Sequence, residues 1–170
     1  MKNFLNKKCR FYIDHLQLQP HPEGGYYAET YRSSGVIPAS VLLQFKGGRN
    51  YSTAIYYLLE HGDFSAFHRI KSDECWHHYV GGTLLIHVLN YDGTYVCIKL
   101  GPAIDEGEVF QFVVPANTWF AAECADEASF VLIGCTVAPG FDFTDFEIAE
   151  RKALLEKFPQ HKSIVLKLCR

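Results

Sequence analysis

Short segments rich in β-branched and aromatic residues follow one another through most of this sequence. Turn residues such as Gly81-Gly82 and Asp92-Gly93 separate them about every 8 to 12 positions, as in all-β proteins. Because no segment of helical length interrupts the series, it predicts an antiparallel sandwich or barrel. The predicted strands are 26–32, 41–45, 52–59, 65–70, 75–80, 83–90, 94–100, 108–114, 119–123 and 129–137.

Helical spacing of apolar residues is confined to the two ends of the chain. Residues 11–18 predict a short N-terminal helix, which the Pro- and Gly-rich segment 20–25 ends. Apolar positions from Phe146 to Phe158 predict a C-terminal helix, and 163–166 is a candidate closing strand. No linker or repeat divides the sequence, so we expect residues 1–170 to form a single domain.

Composition argues against several classes of function. A formal net charge of −3 and a pI near 6.2 predict no nucleic-acid partner. No apolar run approaches the roughly 20 residues that cross a bilayer, and the N-terminus lacks the apolar core of a signal peptide. The 6 cysteines form no C-x-x-C pair, and we interpret Cys97 and Cys135 as small buried apolar residues. We therefore expect a soluble cytoplasmic protein with no membrane partner.

The segment 68–82 is the strongest candidate for a functional site. It contains three histidines, a glutamate, a tryptophan and a pair of glycines. Strand-type residues flank a polar turn, so we predict a hairpin whose two arms bring His68 and Glu74 together. An unpaired carboxylate facing the interior is costly, so Glu74 is either functional or an ion-pair partner of Arg69 or Lys71.

This segment resembles the first sequence motif of the cupins. That motif is His-x-His, three or four residues, Glu, six residues, Gly. His68 matches the first histidine, Glu74 the glutamate and Gly81 the glycine. Ile70 stands where the motif has its second histidine. The resemblance therefore keeps two of the three usual ligands of this motif.

The second cupin motif, Pro-x-Gly-x-x-His, is matched less well. Pro115 is present, whereas Asn117 replaces the glycine and Phe120 replaces the histidine. Together with 115–119, three longer blocks resemble an uncharacterised family of small cupin-like proteins within the RmlC-like cupin superfamily. The blocks are 21–26, 68–77 and 136–146.

The resemblance implies an all-β fold, the cupin double-stranded β-helix or jelly roll, with short N-terminal and C-terminal helices. It also implies a homodimer, but no established reaction. Relatives with this fold include sugar-nucleotide epimerases, germin-like oxidases and a metal-dependent sugar-phosphate isomerase.

The first functional hypothesis is a small-molecule binding site in the barrel cavity without a tight metal. Aromatic residues with a few polar groups at a barrel mouth are typical of such sites, and a sugar-like or nucleotide-like ligand is a candidate. The candidate ligand-binding residues are Tyr57, His68, Lys71, Glu74, Trp76, His78 and Trp119.

The second hypothesis is a metal-free sugar-nucleotide epimerase or isomerase. His68 would act as general base with Glu74 beside it, and a tyrosine on another strand would act as acid. Every tyrosine lies at or before Tyr95, so Tyr57 and Tyr79 are the candidates for this acid.

The third hypothesis is a metal-dependent oxidase or isomerase. Cupin metal sites use three histidines and a glutamate, of which His68 and Glu74 are present. His78 is a poor replacement ligand, because four residues of regular strand separate its Cα from that of Glu74 by about 13 Å. No cofactor is predicted with certainty, and a divalent metal stays open.

Other polar residues in these regions receive structural interpretations. His77 and His78 are adjacent in a predicted strand, so one of them should face the interior. We interpret Arg49 as a solvated loop residue and the segment 21–25 as a rigid loop that folds over one end of the barrel.

Overall fold

Two antiparallel sheets pack face to face. The computed structural model of the protein describes residues 2–125 and 130–170. In chain order, its helices and strands are α1 (Lys2–His15), β1 (Gln19–Pro20), β2 (Tyr26–Arg32), β3 (Val36–Ile37), β4 (Arg49–Asn50), β5 (Thr53–Glu60), β6 (Phe64–Arg69), β7 (Asp73–Gly81), β8 (Leu84–Leu89), β9 (Tyr95–Leu100), β10 (Gln111–Val114), β11 (Trp119–Cys124), β12 (Phe130–Ala138), β13 (Glu147–Ile148), α2 (Arg151–Lys157) and α3 (Lys162–Leu168).

The strands of the two sheets alternate along the chain. The six-stranded sheet has the order β1-β2-β5-β12-β7-β10, and the five-stranded sheet has the order β13-β6-β11-β8-β9. From β5 to β8 every connection crosses from one sheet to the other. This alternation makes the fold a jelly roll, as the resemblance implies.

Apolar side chains fill three layers. Between the sheets lies a core that includes Tyr57, Trp76 and Phe120. Helix α1 packs on the outer face of the six-stranded sheet, against residues such as Leu132, while α2 and α3 cover the outer face of the five-stranded sheet at Trp119. Because successive residues of a strand face opposite sides, a strand covered on both faces is apolar throughout. This is the pattern seen in β12.

The structure confirms most of the predicted strands and corrects three other elements. Residues 41–45 form turns, in which Leu42 and Phe45 are buried while Leu43 is 87% exposed, so the buried positions are three apart and do not follow the alternation of a strand. Residues 163–166 belong to α3, where helical spacing puts Val165 and Leu168 together against the sheet. The C-terminal helical region begins only at Arg151, because the residues before it pair with β6 as β13. Residue 129, the first of the last predicted strand, lies outside the described residues.

Two individual interpretations also change. Cys135 is buried as expected, but Cys97 is exposed on β9. Arg49 is buried, because its guanidinium forms a two-pronged ion pair with Asp145, at 2.6 Å from Nε and 2.8 Å from Nη2. No helix in the described part of the chain combines the length and apolar character that membrane crossing requires.

Candidate active site

A cavity of about 330 Å³ lies between the sheets at one end of the barrel. Strands β2, β5, β7 and β12 form one wall, and His68 from β6 faces them from the other sheet. The segment 141–146 and the loop 21–25 complete the wall. The residues on which its chemistry depends are His21, Glu23, Tyr57, His68, Glu74 and Cys135.

His68 and Glu74 both line this cavity, but they do not come from a hairpin. The predicted hairpin is wrong, because β6 pairs with β11 and β13 whereas β7 pairs with β12 and β10. The polar segment between them crosses from one sheet to the other. The two side chains therefore approach each other across the interior of the barrel, which the period of the strands does not reveal.

The imidazole of His68 is fully enclosed and its orientation is fixed. Its Nδ1 lies 2.8 Å from the carbonyl oxygen of Ala66, which only accepts, so Nδ1 carries a proton. Its Nε2 lies 3.1 Å from Oε2 of Glu23. Since neither a neutral Nε2 nor an ionised carboxylate has a proton to donate, this contact requires one shared proton. His68 and Glu23 thus form a pair that holds one proton between them.

Glu23 reaches this position from the loop 21–25. Its Oε1 accepts a hydrogen bond from Ser65 Oγ at 2.9 Å, and His21 Nδ1 lies 3.6 Å from Oε2. The loop approaches β6 so closely that a Cβ on Gly24 would lie 2.0 Å from the carbonyl oxygen of Phe64. Gly24 also has a φ of 121°, which favours glycine. The rigid loop predicted from the sequence exists, but it delivers a carboxyl group and an imidazole into the cavity.

Glu74 is the second acidic group of the cavity. The pKa of Glu74 is raised to about 7, mainly by burial; His68 lowers it, Glu23 raises it, and the adjacent Cys135 and Trp76 lower it. Burial likewise raises the pKa of Glu23 and lowers the pKa of His68. No Lys or Arg among the described residues forms an ion pair with Glu74, so the role of ion-pair partner to Arg69 or Lys71 is wrong. Arg69 instead pairs with Glu147.

The mouth of the cavity is formed partly by a β-bulge in β2. Tyr27 and Glu29 face Tyr57 and Ile55 of β5, and the register then shifts so that Arg32 faces Thr53. The extra residue keeps Arg32 on the cavity side, where simple alternation would have placed Tyr31. Arg32 and Glu29 are both exposed, so this edge of the cavity opens to solvent.

Four predicted ligand-binding residues lie outside the cavity. Trp76 packs in the core between Tyr57 and Phe120, with ring centroids 5.9 and 5.8 Å away. Trp119 faces the C-terminal helices instead. The remaining two are bound to backbone oxygens, Lys71 to Gln44 at 3.0 Å and His78 to Gly82 at 3.1 Å. These four side chains therefore do not line the cavity. His77, the neighbour of His78, contacts the hydroxyl of Thr136 on the adjacent strand β12.

The residues of the cavity do not fit the usual cupin metal site. Phe120 occupies the place of a metal-binding histidine and packs on the His68 ring at 4.1 Å between centroids. The Nε2 of His68, which would face an ion, contacts Glu23 instead. Within residues 2–125 and 130–170, no three His, Cys, Asp or Glu side chains are grouped so that they could hold a metal ion. The metal hypothesis therefore gains no ligand set from this geometry.

Comparison with known proteins gives the family of this chain. Residues 10–149 match the model of the family described as Cupin superfamily (DUF985). The chain belongs to this cupin family. An uncharacterised protein of Saccharomyces cerevisiae is 34% identical to this cupin over 143 residues, which cover 78% of the chain and 71% of the relative.

Solved structures support the same assignment. A protein from Shewanella oneidensis shares 38% identity with a TM-score of 0.85, covering 94% of this cupin and 95% of its own chain. A hypothetical protein from Leishmania major shares 34% identity with a TM-score of 0.84, covering 94% and 97%. Oxalate decarboxylase from Bacillus subtilis, at 13% identity and a TM-score of 0.55 over 88% of this chain and 36% of its own, shares the fold alone. The predicted homodimer stays a prediction.

Proposed function

We propose that this cupin binds a small molecule in its cavity and exchanges protons with it, as an isomerase or epimerase does. One observation carries the proposal. Two separate proton-exchanging groups, Glu74 and the His68–Glu23 pair, line the same cavity. A volume of about 330 Å³ suits a ligand of metabolite size.

Glu74 is suited to give and to take a proton near neutral pH. General acid–base catalysis is most effective when the pKa of the group lies close to the working pH. With a pKa of about 7, both forms of Glu74 are populated there. Perturbed carboxyl groups in a cavity are also typical of catalytic sites.

The His68–Glu23 pair supplies the second proton position. The pair holds one proton between Nε2 and the Glu23 carboxyl group 3.1 Å away, so it can give that proton up as an acid and, once it has done so, accept another as a base. The hydrogen bond from Nδ1 to Ala66 keeps Nε2 directed at this exchange. The geometry therefore supports the role of general base predicted for His68, with Glu23 rather than Glu74 as its direct partner.

These two groups can complete a redox-neutral proton transfer. One group removes a proton from a carbon next to a carbonyl, and the electron pair of the broken C–H bond moves into an enolate. The other group then returns a proton to that carbon, or to its neighbour, and the enolate collapses to the carbonyl. Tyr57, the predicted acid, is less suited to this step. Its hydroxyl donates to the Gly24 carbonyl at 2.8 Å, and burial raises the pKa of Tyr57 well above its usual value.

Deuterium exchange tests the proposal without knowledge of the substrate. The protein is incubated in D2O with a low-molecular-weight cell extract, and mass spectrometry follows deuterium in carbon-bound positions. We expect at least one compound to gain deuterium, and His68→Gln and Glu74→Gln to slow this by about a hundredfold or more.

Two exposed residues provide matched controls, since His61→Gln and Glu106→Gln make the same chemical changes outside the cavity. Both controls should exchange deuterium at the wild-type rate. If ligands bind but no compound exchanges a carbon-bound proton, the cavity is a binding site without chemistry and the proposed reaction is wrong.

A further inference from the structure

Acidic groups outnumber basic ones on the cavity wall. Its carboxyl groups are Glu23, Glu29, Glu74 and Asp142. Among the described residues that line the cavity, Arg32 is the only Lys or Arg. Burial lowers the pKa of both His21 and His68, which keeps these rings from adding positive charge at neutral pH.

Arg32 has little capacity left for an anionic ligand. Its Nε and Nη2 bond the two carboxylate oxygens of Glu29 at 2.9 and 2.7 Å. Its Nη1 bonds Asn50 at 3.0 Å and the backbone oxygen of Phe141 at 3.1 Å. A carboxylate or phosphate in the cavity would have to break these contacts or meet Glu23 and Glu74 without a cation.

Glu74 differs in this respect from another buried carboxylate of the protein. Asp145 is bound on both oxygens by Arg49, and Lys71 lies 3.7 Å away. Glu74 is only 7% exposed, lines the cavity and has no fixed cation beside it in the described chain. Buried carboxylates are ordinarily paired, so a cation that pairs with ionised Glu74 would have to come from within the cavity.

A cluster of aromatic rings lines the same cavity. The ring of His21 meets Tyr27, Tyr57 and Phe146 edge to face, with centroids 4.6, 5.9 and 6.0 Å apart. Each of these rings also lines the cavity. Aromatic faces attract organic cations and repel anions, and such contacts strengthen where water is excluded.

We propose that the substrate carries a protonated amine, which enters the cavity and pairs with Glu74, and that carboxylates and phosphates are rejected at this end. An ammonium group has only donors, and an ionised carboxylate such as that of Glu74 has only acceptors to offer it. The inference rests on the proposed function, in that the cavity takes a substrate. An ammonium next to the reacting carbon would also make its C–H proton easier to remove.

Three probes of one size separate charge from shape. Benzylamine, benzyl alcohol and benzoate share a ring and differ mainly in the charge of the group beside it. Calorimetric titration of the full-length protein at neutral pH should show benzylamine binding about tenfold or more tightly than benzyl alcohol, a difference of about 1.4 kcal/mol. Benzoate should not bind.

Glu74→Gln keeps the shape of the side chain and removes its charge. It should reduce the affinity for benzylamine to that for benzyl alcohol, whereas Glu106→Gln should leave it unchanged. A second variant, Glu74→Ala, should lose the same preference, and urea unfolding of both variants verifies that they are folded.

The results that overturn the proposal are equally definite. They are benzyl alcohol or benzoate binding as tightly as benzylamine, benzylamine failing to bind, or its preference surviving in Glu74→Gln. If benzylamine fails while neutral compounds exchange deuterium, the amine is wrong and the proton-transfer function stands. If benzylamine binds but no extract compound exchanges, the cation site stands and the proposed reaction is wrong.

Discussion

Two buried His–Glu pairs lie on opposite faces of the five-stranded sheet. His68 of β6 faces the cavity, where its Nε2 lies 3.1 Å from Glu23. His87 of β8 faces outward beneath α3, where its Nε2 lies 3.3 Å from Glu123. The same two residue types at almost the same distance therefore occur in two settings.

The outer pair is closed by other side chains of the protein. The Nδ1 of His87 lies 2.7 Å from the hydroxyl of Tyr95, and Lys167 of α3 lies 2.6 Å from the carboxylate of Glu123. Lys167 thus neutralises the carboxylate of Glu123 and Tyr95 bonds one imidazole nitrogen, while Nε2 of His87 lies beside Glu123 without a hydrogen bond to any described residue. This cluster attaches the C-terminal helix to the sheet.

The inner pair, His68 and Glu23, faces the cavity and, within the described chain, has no lysine beside it as the outer pair has. Beyond His68 and Glu23 the next group is Glu74, which is a second acid rather than a cation. The comparison shows that a buried His–Glu pair alone does not indicate function. What distinguishes the functional pair is a charge left unmatched on the wall of a cavity, and the predictions below address this difference.

The largest expected effect is that Glu74→Gln stabilises the protein at alkaline pH. Folded Glu74 holds its proton up to about pH 7, whereas the unfolded chain releases it near 4.5, so stability falls as pH rises between these values. A shift of this size corresponds to about 3 kcal/mol at pH 8. Urea unfolding at pH 5 and pH 8 should show that the variant gains mainly at pH 8.

Glu106→Gln serves as the control for this measurement, because Glu106 is exposed, and it should change neither value. Some decline with pH should remain in Glu74→Gln, because burial also raises the pKa of Glu23. A loss of stability at pH 8 in Glu74→Gln would mean that Glu74 is matched within the protein, and the contrast between the two pairs would disappear.

The strands were predictable because they depend on local patterns, whereas the jelly-roll arrangement was implied by the resemblance to the cupins. Alternation and turn chemistry determine where strands form, and both are visible in a single sequence. Which sheet a strand joins depends on contacts between distant residues. For this reason the strands carrying His68 and Glu74 were located correctly and paired incorrectly.

The site was only half predictable for related reasons. Tyr57, His68 and Glu74 lie on strands whose inward faces are set by alternation. Trp76 shares the inward face of Glu74 but lies two residues further along, where the cavity gives way to the core. Glu23 comes from a loop 45 positions before His68 in the sequence. The only sequence signal for its role was a carboxyl group between a proline and two glycines.

The next largest effect is expected for the outer pair, where Glu123→Gln should destabilise the protein by about 2 kcal/mol. The change weakens a charged hydrogen bond to Lys167 and leaves the imidazole of His87 without its carboxylate. Urea unfolding measures the loss, and the double variant with Lys167→Met should lose little more. Benzylamine binding and deuterium exchange should stay at wild-type levels, and a loss of either would give the outer pair a functional role.

The smallest effect is expected for the hydroxyl of Tyr95. Removing it tests whether hydrogen bonds, rather than apolar packing alone, hold the outer pair in place. Tyr95→Phe keeps the ring but removes the partner of His87 Nδ1, so a buried polar atom loses its hydrogen bond, at a cost of about 1 kcal/mol. Tyr91→Phe is the matched control, because Tyr91 is exposed and its hydroxyl donates to the backbone oxygen of Asn117 at 3.0 Å. This variant should lose less than about 0.5 kcal/mol of unfolding free energy. Equal effects in the two variants, measured by urea unfolding, would show that the outer cluster is held by its apolar contacts with α3, and that hydrogen-bond closure does not distinguish it from the cavity pair.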